Sequence, residues 1–170
     1  MMIDLTRIEG EPFQFDVNIA GNEIDLESDF ARLNGDISIK GELTKHIAQT
    51  DVVGEIDAKI EIDCTRCLQP VVQDLKIPFD VDFVTPEFDA TARETELNQS
   101  DLETAVFEGD QLDLNELVRE QILLNLPEQT FCSPDCKGLC PKCGQNRNLI
   151  DCNCEENETD PRWAALKDLK

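Results

Sequence analysis

The sequence predicts an α+β protein: a curled, barrel-like antiparallel β-sheet, one amphipathic helix and a cysteine-rich C-terminal tail. Three observations carry this. Apolar and polar residues alternate through most of 13–83, a single capped apolar stripe follows at 113–126, and six of the eight cysteines fall between residues 132 and 154. With 40% hydrophobic residues, the 170-residue chain can build one core despite a formal net charge of −22, so the charge does not imply disorder.

The strands come first. Phe13, Phe15, Val17 and Ile19 alternate with polar neighbours, as do Ile37, Ile39 and, beyond Gly41, Leu43. Ile56, Ala58, Ile60 and Ile62 continue the pattern up to Cys64, and Val71, Leu75, Ile77, Phe79, Val81 and Phe83 resume it. Period-2 runs with one polar face suit an antiparallel sheet curled over one core, closed as a barrel or forming half of a sandwich. Pro78 cannot donate to a ladder, which predicts an edge strand or a bulge there. Residues 85–111 read as a long acidic loop holding one short strand at Thr104–Phe107. Asp113 is a good N-cap, Glu116 stands where a capping box needs it, and Leu114, Leu117, Val118, Ile122 and Leu124 form one stripe that Pro127 ends. Asp160-Pro161 announces a short terminal helix carrying Trp163, Leu166 and Leu169. The expected division is an acidic β-rich domain over 1–127, with its helix at 113–126, and a cysteine-rich tail over 128–170 packed on it.

The charge is unevenly spread. Residues 1–63 carry 15 acidic and 5 basic side chains, residues 64–127 carry 14 and 4, and residues 128–170 carry 8 and 6. A field of this sign repels nucleic-acid phosphates and anionic membranes from the first three quarters of the chain. The tail is nearly neutral, and within 132–150 Lys137, Lys142 and Arg147 outnumber Asp135. Met1–Glu9 shows neither a basic n-region nor an apolar h-region. No apolar run approaches the ~18 residues of a membrane span. The expectation is a soluble, cytoplasmic protein with no membrane partner.

In a reducing compartment, eight cysteines point to metal ligands before disulfides. They fall as Cys64-x2-Cys67, Cys132-x3-Cys136-x3-Cys140-x2-Cys143 and Cys152-x-Cys154. A C-x2-C turn aims two thiolates at one ion, and a tetrahedral zinc site needs two more. Cys64 and Cys67 follow a strand, while Cys140 and Cys143, flanked by Pro141 and Gly144, resemble a second knuckle. Two groupings use all eight. One joins Cys64 and Cys67 to Cys132 and Cys136, and Cys140 and Cys143 to Cys152 and Cys154. The other makes a local site of the middle four. The first is preferred because it ties the tail to the sheet. Two zinc ions, each held by four cysteines, would leave no open coordination position, so the metal is architectural. A redox pair at Cys64 and Cys67 is disfavoured, because no helix N-terminus is visible there to lower a thiol pKa.

Catalytic constellations are absent from the sequence. His46 is the lone histidine, in a polar stretch, and reads as a surface residue. The carboxylates read as a solvated face. No phosphate-binding glycine loop or nucleophile elbow occurs. Trp163 anchors the terminal helix or serves as a partner contact. Lys137, Lys142 and Arg147 either offset thiolate charge or touch RNA phosphate.

Three segments taken together resemble a known family. They are Cys64-Thr65-Arg66-Cys67-Leu68-Gln69-Pro70 after a strand, Leu112-Asp113-Leu114-Asn115-Glu116-Leu117-Val118-Arg119-Glu120-Gln121-Ile122, and Cys136-Lys137-Gly138-Leu139-Cys140-Pro141-Lys142-Cys143-Gly144 through Asp160-Pro161-Arg162-Trp163-Ala164-Ala165-Leu166. The family is YceD, known as large ribosomal RNA subunit accumulation protein, and the likeness extends over residues 50–170. It implies a role in accumulation or processing of large-subunit ribosomal RNA. Some members keep the first C-x2-C and lack much of the tail cluster, which implies an accessory second site. The resulting expectation is a non-enzymatic ribosome biogenesis factor whose acidic face captures a basic ribosomal or assembly protein, with no small-molecule substrate. The alternatives are direct binding of precursor ribosomal RNA through the zinc tail, and a redox- or zinc-responsive regulator.

Overall fold

The computed structural model describes residues 1–8, 11–47, 49–85, 104–106 and 109–154. Among these residues eight strands and one α-helix follow in the order β1 (Met2–Asp4), β2 (Phe13–Ile19), β3 (Ala31–Leu33), β4 (Ile37–Lys45), β5 (Gln49–Asp63), β6 (Pro70–Val84), β7 (Thr104–Val106), β8 (Gln111–Asp113) and α1 (Leu114–Leu124). The expected terminal helix with Trp163, most of the acidic loop and Phe107 lie outside the described residues.

The sheet corrects the barrel. Its order is β2-β4-β5-β6-β7, with β3 also pairing with β5, and its two end strands do not meet. It is not wholly antiparallel either, because β7 joins β6 in parallel, Asp82 opposite Thr104 through Val84 opposite Val106. A period-2 pattern says which face of a strand is buried and nothing about whether the edges of the sheet find each other. Here the inner face is covered by other elements instead. A two-stranded ribbon of β1 and β8 and helix α1 supply Ile3, Leu112, Leu114, Leu117, Val118 and Ile122 to the cluster that holds Ile37, Ile39, Leu43, Val52, Ile56, Ile60, Ile77 and Phe79. At about 25 cal/mol per Å² of buried apolar surface, that continuous cluster is the main source of stability.

β5 and β6 form a hairpin fifteen residues long on each side, in unbroken register from Gln49 opposite Val84 to Asp63 opposite Pro70. There is no bulge at Pro78. Among the described residues β6 has a second neighbour only at Asp82–Val84, so Pro78 sits on an open edge where no donor is needed. Across the inner face one register row reads Phe15, Gly41, Gly54, Phe79. The two rings lie over the glycines. A Cβ on Gly41 would stand 2.7 Å from the Phe15 ring, and one on Gly54 would meet the Lys40 carbonyl oxygen and stand 2.8 Å from the Phe79 ring.

Helix α1 begins as expected at Asp113, whose carboxylate accepts from the Asn115 N–H at 2.9 Å. Glu116 does not complete a capping box; it pairs with Arg119 at 3.2 Å. Arg119 also donates from Nε to the Asp25 carbonyl at 3.0 Å and pairs with Glu27 at 2.9 Å, pinning the segment before β3 to the helix. The helix is shorter than 113–126, capped by Asn125, and Leu124 is exposed. At 3.6 residues per turn Leu124 lies roughly 95° from the centre of the stripe. The described residues contain no helix long and apolar enough to cross a membrane.

Candidate metal centres

The far end of the β5–β6 hairpin is the turn 64–69, and the first C-x2-C motif occupies it. The Cys64 N–H donates to the Gln69 carbonyl at 2.8 Å and the Leu68 N–H returns to the Cys64 carbonyl at 2.9 Å. Closing so tight a turn requires a left-handed residue, and Leu68 takes φ +59°. The second motif repeats this bond for bond. The Cys140 N–H donates to Gln145 at 2.8 Å, the Gly144 N–H to Cys140 at 2.9 Å, and Gly144 has φ +72°. Each knuckle also places its second thiol beside a glutamine side chain, Cys67 3.7 Å from Gln69 and Cys143 3.8 Å from Gln145. Behind the shared geometry lies a short repeat, Cys-Thr-Arg-Cys-Leu-Gln at 64–69 and Cys-Pro-Lys-Cys-Gly-Gln at 140–145. The cysteine spacing alone does not reveal it; the basic residue and the glutamine do.

The eight thiols gather as the first of the two groupings. Cys64, Cys67, Cys132 and Cys136 form one quartet and Cys140, Cys143, Cys152 and Cys154 the other, with all sulfurs of a quartet within 4.8 Å of one another. Cys64 and Cys136 are 3.8 Å apart and Cys67 and Cys132 are 3.5 Å apart. A tetrahedron of Zn–S bonds near 2.3 Å has edges of about 3.8 Å, so the spacing fits a zinc-sized ion. None of the eight forms a disulfide.

The electrostatics suit a cation. Burial pushes the Cys64 thiol up, but the backbone N–H groups of Cys132, Arg66 and Cys67 outweigh it and hold the thiol at about 6. Cys140 is also held at about 6, chiefly by the N–H groups of Cys143 and Lys142, the same two knuckle positions. Burial pushes Cys67 up to about 12, with the neighbouring thiols adding to it. Cys154 reaches about 12 through the Cys143 side chain first and burial second. In each quartet one sulfur sheds its proton readily and another resists, at Cys67 through burial first and at Cys154 first through repulsion by the neighbouring Cys143 thiol. A divalent ion among them removes that repulsion and would deprotonate all four.

The quartets differ in setting. Cys64, Cys67 and Cys136 are buried, while Cys132 is exposed. Cys140 alone is buried in the second set. The first quartet also joins distant parts of the chain, and several residues outside the cysteines hold the tail against the hairpin turn. Arg66 donates to the Cys136 carbonyl at 3.1 Å and lies 4.3 Å over the Phe131 ring. The Leu139 N–H donates to the Arg66 carbonyl at 2.9 Å, and Thr65 N–H and Oγ1 reach the Thr130 carbonyl at 2.8 and 3.1 Å. Gly138 has φ +73° and a Cβ there would stand 3.0 Å from the Arg66 oxygen. Arg66, Gly138 and Phe131 were invisible as site residues because their roles depend on that docking.

The remaining candidates fall beside the quartets or away from them. Lys137 is exposed and 3.9 Å from Asp151. Lys142 is exposed within the second knuckle, and Arg147 donates its backbone N–H to the Gly138 carbonyl at 2.9 Å. Trp163 lies outside the described residues. His46 stands in the β4–β5 turn, 2.9 Å from Asp51.

An open sheet closed over by one helix, with two four-cysteine clusters at the hairpin tip and tail, defines an α+β protein with two candidate structural metal centres. Residues 52–170 match the family described as large ribosomal RNA subunit accumulation protein YceD, and the chain belongs to that family. It is 28% identical over 167 residues to the uncharacterized protein YlbN of Bacillus subtilis (strain 168), covering 97% of this chain and 92% of that one. The uncharacterized protein Rv2926c of Mycobacterium tuberculosis (strain ATCC 25618 / H37Rv) is 32% identical over 120 residues, 69% of this chain and 54% of its own length. This chain thus spans about half of that mycobacterial relative. The large ribosomal RNA subunit accumulation protein YCED homolog 1, chloroplastic, of Arabidopsis thaliana is 32% identical over 60 residues, 35% of this chain and 19% of its own. No solved structure matches. The family description supports a role in ribosome biogenesis.

Proposed function

We propose that this protein is a non-enzymatic ribosome biogenesis factor that supports large-subunit ribosomal RNA by holding a basic ribosomal or assembly protein on the outer face of its sheet. The observation that carries the reading is the charge of that face. Its register rows bring together Asp16, Glu42, Asp51, Glu55, Asp57, Glu61, Asp63, Asp74, Asp80 and Asp82. The basic residues among them are Arg32, Lys40, Lys59 and Lys76, each already within 4.0 Å of an acidic partner: Glu61, Asp16, Asp74 and Asp57. The face is left with a surplus of negative charge that steers a basic protein by long-range attraction. Ribosomal RNA phosphates would compete for the same partner and take it over. In this reading zinc fills both quartets, since four thiolates in a tetrahedron suit Zn²⁺ best among common cytosolic ions, and the protein works in the cytoplasm.

The test is capture from lysate by the full-length protein at low and moderate ionic strength, scoring protein and RNA together. The expected result is a basic ribosomal or assembly protein retained at low salt and lost as salt rises. RNA alone, or no capture at low salt, contradicts it. Lys137 and Lys142, exposed beside the second knuckle, favour one other reading, direct binding of precursor ribosomal RNA by the tail. Charge reversal of Lys137, Lys142 and Arg147 would then abolish crosslinking to RNA, and unchanged crosslinking would exclude it.

A further inference from the structure

The two quartets are adjacent in sequence but do not share a ligand. Between Cys143 and Cys152, residues 144–151 form a loop whose two ends the second quartet holds together. That loop reaches back to the first quartet at one residue. Asn148 donates from Nδ2 to Cys136 Sγ at 3.3 Å, and its Oδ1 accepts the Lys137 N–H at 2.8 Å. Both ends of the amide are committed, and only this orientation satisfies an N–H donor on one side and a thiolate on the other. The residue is set up for this by its own loop, in which the Asn148 N–H donates to Asn146 Oδ1 at 2.9 Å and the Arg147 N–H to the Gly138 carbonyl at 2.9 Å. Residues 136–139 are bonded in turn to Arg66 in the first knuckle.

We propose that the two metal centres are coupled, the outer one holding Asn148 in place as a second-layer donor to the inner one, so that metal at Cys140, Cys143, Cys152 and Cys154 strengthens metal at Cys64, Cys67, Cys132 and Cys136. This rests on the reading that both quartets take zinc. An N–H bond to a ligand sulfur draws charge from the thiolate and fixes its direction, and such outer partners typically matter 10–100-fold in metal affinity. Asn148 lies at the surface, so it stays on Cys136 only while its loop is closed. An emptied outer quartet frees residues 144–151 to move, and the ordering of that loop must then be supplied by the inner site alone. Linkage makes the effect mutual: whatever the outer ion adds to the inner affinity, the inner ion adds to the outer. Asn148 is a positioning residue here and ligates nothing.

The experiment uses full-length protein loaded with zinc, with release followed in excess chelator, beside protein loaded with ¹¹³Cd and followed by its two metal resonances. C152S/C154S removes the outer site, and Asn148→Ala removes only the amide. Coupling predicts two ions per wild-type chain. It predicts inner-site release about tenfold faster in both variants, and an inner ¹¹³Cd resonance displaced by Asn148→Ala while the outer one keeps its position. A general loss of folding would move both resonances, which keeps the amide's role separable from stability. Inner release and resonance unchanged in both variants would overturn the coupling while leaving both sites standing. Wild-type protein that binds no metal would overturn the zinc reading itself.

Discussion

Gly138 shows how much one residue decides at the junction of tail and hairpin. Its positive φ strains any side chain, and a Cβ there would crowd the Arg66 carbonyl oxygen at 3.0 Å. Gly138→Ala should cost about 1–2 kcal/mol through left-handed strain and contact. Its sign is local: exchange of the Leu139 amide, bonded to Arg66, should quicken while amides in the sheet keep their protection. Unaltered exchange at Leu139 would show that the junction is not held there. At this scale the sequence was partly legible. The knuckle repeat at 64–69 and 140–145 is too short to stand out before the two turns are compared, while the eight cysteines announce themselves by spacing. Asn148 and Arg66 do not, because an asparagine that serves a sulfur is indistinguishable from any loop asparagine until the loop is folded.

Among the elements, long periodic ones were readable and short ones were not. β4 and β6 follow directly from alternation, β5 does so only over Ile56, Ala58, Ile60 and Ile62 of its span Gln49–Asp63, and the helix follows from its stripe and its Asp113 cap. β1, β3 and β8 have three residues each, too few for a period to register, and they exist because partners elsewhere need pairing. β7 was expected as a strand, yet its parallel seat on β6 is a property of the whole chain path. The Phe15–Gly41–Gly54–Phe79 row likewise depends on register, which alternation constrains only by face. Gly54→Val should therefore destabilise by more than about 2 kcal/mol, since a branched side chain there displaces the Phe79 ring and crowds the Lys40 carbonyl. A urea midpoint equal to that of the unsubstituted protein would refute this role for the glycine pair.

For the whole molecule, two sources of order should separate. The core of sheet, ribbon and helix is apolar and continuous, whereas the first quartet's own apolar company is little more than Val71 and Leu139. Strong chelation in reducing buffer should strip amide protection from 130–154 and leave β4, β5 and β6 protected; loss everywhere at once would mean that the metal holds the fold and not the tail. Acid should act like chelator, because protons compete for the thiolates and metal affinity falls as pH falls. Of the forms expected for the curled sheet, the barrel failed, and for a physical reason: the apolar face needed a cover, and the helix and ribbon provide one without any edge having to close.

In the proposed reading, metal clasps the cysteine tail to an acidic sheet, with apparent binding on the order of 10–16 kcal/mol per structural zinc available to do so. Native mass spectrometry of the purified full-length chain under reducing conditions tests it most directly. Two zinc ions should be found per compactly folded chain, falling to one in C64S/C67S. A compact chain that carries no metal would contradict it.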